Sequence, residues 1–142
     1  MRRRTVLIAL PIAALAAPAL AETKEAGQYV DLSPVAMPIV VGGRLVNYVF
    51  VYVRINLTPA ADMPKLRDRE PYFRDALVRL GHRTPFVRPD DYTRLDDRRL
   101  KAALFQAAVG IGGPGTIASI EILPGGGPMR RTGLPKPPAG AR

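Results

Sequence analysis

A chain of 142 residues with a formal charge of +9, 47% hydrophobic residues and no cysteine is limited at once in what it can be. It is long enough for one domain of ordinary size, and the absence of cysteine excludes disulfide staples and thiolate metal ligands. With His82 as its one histidine, it has neither a histidine pair for a metal nor a second histidine to serve a nucleophile.

The first 21 residues, MRRRTVLIALPIAALAAPALA, read as an export signal. Arg2, Arg3 and Arg4 precede an apolar run from Val6 to Leu20, and Ala19-Leu20-Ala21 has the small residues that a signal peptidase needs. Cleavage is expected between Ala21 and Glu22 rather than retention as an anchor, because Pro11 and Pro18 break a run already short of about 20 apolar residues. The string Arg3-Arg4-Thr5-Val6-Leu7 also loosely fits the twin-arginine export pattern. Loss of the three arginines would bring the charge to +6, and an exported chain without a basic stripe is a poor nucleic-acid partner.

Residues 22–28 form a short polar leader, and the folded domain is expected over residues 29–123. Tyr29-Val30-Asp31-Leu32 and Met37-Pro38-Ile39-Val40-Val41 read as extended segments, with Pro38 confined to a strand edge or start. Gly42-Gly43 predicts a tight hairpin turn into the longest strand, Leu45 to Leu57. Apolar residues occupy both faces of that strand as far as Val53, so one face is expected under helices and the other against a partner or partly in solvent.

From Ala60 to Leu80 the period becomes helical. Leu66, Phe73, Leu77 and Leu80 share one side, and Pro71 should kink or split the helix. Gly81 predicts its end, followed by a loop to Pro89, with Asp90-Asp91 a candidate cap for what comes next. A second helix is expected from about Asp96 to Val109, burying Leu100, Ala103, Leu104, Ala107 and Ala108. Thr116 to Leu123 then forms the last strand, with Ile120 and Ile122 facing inward. Residues 124–142 are rich in proline and glycine, carry Arg130, Arg131, Lys136 and Arg142 with no acid, and predict a disordered basic tail. The body is thus an α+β domain, a small and mainly antiparallel sheet with two helices on one face.

Chemistry is sparse along this chain. Asp90-Asp91 and Asp96-Asp97 lack the spacing of a calcium loop and read as helix caps. The Gly-rich stretch from Gly110 to Gly115 follows a helix and opens a strand, the reverse of a phosphate-binding loop. No catalytic, cofactor-binding or metal-binding residue is assigned. Exposed aromatics and arginines carry interface energy more often than other surface residues, which singles out Tyr48, Tyr52, Arg74 and Arg79 as partner contacts.

The run Tyr29-Val30-Asp31-Leu32-Ser33-Pro34, the strand after Gly43, the helical text from Glu70 to Leu80 and the closing Ser119-Ile120-Glu121-Ile122 occur in the order of the flagellar basal-body FliL family, which this chain resembles over about residues 29–123. The most specific element is Arg74-Asp75-Ala76-Leu77. The resemblance implies a stomatin-like periplasmic domain that assembles at the flagellar stator as a noncatalytic scaffold, with protein partners, self-association and no cofactor. The cleavable N-terminus, short leader and basic tail distinguish this chain from the family pattern. The tail also suggests an alternative role, a peripheral module held to anionic membrane surface at roughly 1 kcal/mol per charge.

Overall fold

The computed structural model describes residues 27–140. The expected export signal, its cleavage point between Ala21 and Glu22 and most of the leader lie outside the described residues.

A long central strand organises the domain. Strands β1 (Tyr29–Asp31) and β2 (Val35–Val41) lie end to end along one edge of β3 (Arg44–Leu57), and β6 (Ile117–Pro128) runs along the other, all antiparallel to β3. The β2–β3 hairpin turns at Gly42 and Gly43, whose φ values of 57° and 74° are those of a primed turn matched to strand twist. Pro38 occupies β2, which pairs on one side only, so the sheet tolerates its missing N–H.

Three helices cover one face of this sheet. Helix α1 (Met63–Asp68) ends where α2 (Glu70–Arg83) begins, and Pro71 sits in the first turn of α2, so the proline splits the helical stretch as its missing N–H predicts. Helix α3 (Asp97–Gly112) packs against α2 and β6, while α2 packs against β2. Phe73 and Leu77 of α2 and Leu100, Leu104 and Ala108 of α3 close over Met37, Ile39, Val53 and Ile55 to form one core. The fold is α+β, with the sheet and its helices in two layers.

Four expectations are corrected. Helix α2 continues through Gly81 to Arg83, because Gly81 is a packing residue: a β-carbon there would lie 2.7 Å from Met37 Cε. The expected loop before Pro89 contains β4 (Val87–Arg88), which pairs with β5 (Asp91–Leu95). Asp90 and Asp91 cap no helix. Asp90 takes two hydrogen bonds from Arg88 and Asp91 holds Thr93, whereas Asp96 caps α3 by accepting from the Arg99 amide at 3.1 Å. The last strand passes Leu123 and stays paired to Pro128, so the boundary expected between residues 123 and 124 moves outward.

That extension has identifiable partners. The Met129 amide donates to the Tyr48 carbonyl at 2.8 Å, and the buried Asn47 side chain clasps Arg130, donating to its carbonyl at 2.9 Å and accepting from its amide at 3.0 Å. Asn47 also donates to the Tyr92 carbonyl of β5 at 3.3 Å, so one polar side chain ties three segments together. Leu134 packs against the core further along the tail.

Candidate interaction face

Alternation along β3 gives the sheet two unlike faces. Asn47, Val49, Val51, Val53, Ile55 and Leu57 are buried on the side covered by the helices and the β4–β5 hairpin, and the intervening residues point the other way, where no described element covers them. The uncovered face divides in two along the strand. Toward the hairpin it is apolar: Tyr48 stands beside Pro38, Phe50 between Ala36 and Gly127, and Tyr52 beside Leu123. Phe50 and Tyr52 are 39% and 37% exposed, high values for aromatic rings in the middle of a sheet. Met129, which extends β6 past Tyr48, is 56% exposed.

Phe50 is the most accessible of these rings by virtue of its neighbours. Cross-strand residues ordinarily pack against one another, but here the flanking positions are alanine and glycine. A β-carbon added at Gly127 would meet nothing within 4 Å, and the backbone there requires no glycine. The ring is therefore left with an empty seat on the β6 side.

Toward the far end the face turns polar. Arg54 donates to both carboxylate oxygens of Asp31, at 2.7 and 2.9 Å, and its guanidinium lies 3.9 Å from the centre of the Tyr29 ring. The hydrogen bonds from Arg54, aided by its charge and opposed by partial burial, hold the Asp31 carboxyl below the usual carboxylate range. Asn56 donates to the Ser119 hydroxyl at 3.0 Å in the next row. These groups satisfy one another and form an ordered polar border.

The four residues expected as partner contacts do not form one patch. Tyr48 and Tyr52 share the uncovered face. Arg74 lies on α2 beside Pro34 and Ala36 at the β2 edge, and Arg79 pairs with Asp75 in the groove between α2 and α3, next to Tyr72 and Ala107. Phe50, overlooked in the sequence, has the same alternation as Tyr48 and Tyr52 and is the centre of the surface.

His82 is exposed at the end of α2. Among the described residues no three histidine, aspartate or glutamate side chains gather as metal ligands, and no helix is long and apolar enough to cross a membrane. The sequence matches no known family and no characterised protein.

Proposed function

We propose that this protein is a noncatalytic accessory or scaffold of the bacterial cell envelope that works through protein contacts on its uncovered sheet face. The observation that carries this reading is the row Tyr48, Phe50 and Tyr52, with Leu123 and Met129 beside it, which stays partly or largely exposed on a sheet whose opposite face carries the core. Contiguous apolar surface rimmed by polar groups marks interaction sites, and aromatic residues dominate the energy of such contacts. The resemblance to the FliL family supports a periplasmic location and service to a motor or another envelope assembly. Tyr48 and Tyr52 are the principal contacts, and Arg74 and Arg79 serve separate contacts on the helical side.

Deletion of the gene tests the proposal, with swimming motility and envelope integrity as readouts. Impairment of either is expected, and a strain unchanged in both would overturn it.

A second reading, attachment to anionic membrane surface through the tail, is favoured by the exposure of Arg130, Arg131 and Lys136. Their main chain is pinned to the body at Arg130, which would hold the sheet face at a fixed orientation near the lipid. Sedimentation with phosphatidylglycerol vesicles is expected to fall when all three are changed to glutamate. Unaltered sedimentation would remove this reading.

A further inference from the structure

The strand β6 is not regular along its length. Opposite Val51 of β3, between the pairs Tyr52–Leu123 and Phe50–Gly127, it carries three residues, Pro124, Gly125 and Gly126, so it bulges away from its partner. Gly126 permits this bulge, since a β-carbon there would overlap the Phe50 carbonyl oxygen. The bulge leaves a trough of about 500 Å³ between β6 and the β5–α3 corner. That volume falls within the roughly 300 to 1,000 Å³ of small-molecule sites.

The trough has an apolar floor and a basic rim. Val49, Val51, Leu95 and Ile122 line it, and Arg94 and Arg131 stand at its edge with Asp97 as its one acid. Neither arginine forms an ion pair among the described residues, although the arginines Arg54, Arg79 and Arg88 all do. Arg131 reaches the rim because Asn47 fixes the preceding residue by two hydrogen bonds. Arg94 is within electrostatic reach of Asp90 and Asp91. Two guanidinium groups outside any ion pair among the described residues, standing over an apolar slot, are complementary to a molecule with one anionic head and one apolar body.

We propose that this trough binds a single-chain amphiphile with an anionic head, of the class that fatty-acid anions represent. The head lies between Arg94 and Arg131, and the chain runs along Val51 and Ile122 beneath the bulge. The trough borders the aromatic row at Phe50, Leu123 and Gly127, but the proposal does not depend on the function proposed for that row.

The test uses the full chain, isotope-labelled for NMR and titrated with decanoate below its micelle concentration, with decyl phosphate and uncharged decanol in parallel. Saturable shifts are expected at the amides of Thr93 to Asp97 and Ile122 to Gly127. Decanol should bind about tenfold or more weakly, as should decanoate to Arg94→Ala and Arg131→Ala, since each loses a charge-assisted hydrogen bond. Both arginines are exposed, so the variants should keep the wild-type spectrum elsewhere. Preference for decanoate over decyl phosphate, whose chain is the same length, assigns a carboxylate head, and the reverse assigns a phosphate head. No saturation, equal binding of decanol, unchanged affinity in both variants, or shifts that spare Thr93 to Asp97 and Ile122 to Gly127 would each overturn the proposal.

Discussion

The two faces of β3 are both apolar over residues 48–53, aliphatic on one side and aromatic on the other, and do opposite work. Val49, Val51, Val53 and Ile55 are buried on the side of the helices and the β4–β5 hairpin, while one position away along the strand Phe50 and Tyr52 remain open and Tyr48 is half-buried. Hydrophobicity alone does not separate them. The difference lies in which side the helices cover, and it teaches that this strand carries a core and a contact surface at period two.

Substitution should separate the faces by energy. Phe73→Ala, under the sheet at 0% exposure, is expected to cost about 3 to 5 kcal/mol in chemical denaturation. Phe50→Ala and Tyr52→Ala on the open face should each cost less than about 1 kcal/mol. Comparable losses at Phe73 and Phe50 would mean that the open face is a second core, and the contrast would collapse.

The next largest effect is expected at the bulge. Gly126→Ala forces a methyl group against the Phe50 carbonyl and should cost about 1 to 3 kcal/mol, with loss of amide protection at Gly127 in hydrogen exchange. Gly127→Ala is the control, because that position has open space and an ordinary backbone, and its stability should match the wild type.

Asn47 sits on the buried side of the same strand and sharpens the comparison from its polar end. Asn47→Ala strands the carbonyls of Tyr92 and Arg130 and should cost about 1 to 2 kcal/mol. Limited trypsin digestion should then cut faster after Arg130 and Arg131, since their anchor is gone. Unchanged cutting would show that the tail is held by other contacts.

The smallest effect belongs to Asp31 on the open face. Its carboxyl is held low in the folded state, so the stabilising pair with Arg54 is present at neutral pH and is lost as pH falls through the folded-state value. Its side chain is 46% exposed and solvent screens the pair, so the expected signature is a slight extra fall in melting temperature on acidification, absent in Asp31→Asn.

Much of this architecture was legible in the chain because its signals are local. Gly42-Gly43 marked the hairpin, Pro71 the break between α1 and α2, and β-branched density the central strand. What escaped notice depends on partners distant in sequence. Gly81 looked like a helix end until Met37 was seen to occupy the space beside it. Pro124 to Pro128 looked too rich in glycine and proline to order, but β3 supplies pairing and Asn47 a clasp that composition does not record. For the contact surface, period two exposed Tyr48 and Tyr52, and only the cross-strand register showed that Ala36 and Gly127 leave Phe50 bare between them.

The central claim, that the open aromatic row is the working surface, is tested most directly by complementation of the deletion strain. Phe50→Asp/Tyr52→Asp is compared with Lys101→Asp/Gln106→Asp, which alters two exposed side chains of α3. At equal abundance and comparable melting temperature, Lys101→Asp/Gln106→Asp should restore motility or envelope integrity and Phe50→Asp/Tyr52→Asp should fail. Full restoration by Phe50→Asp/Tyr52→Asp would contradict the account.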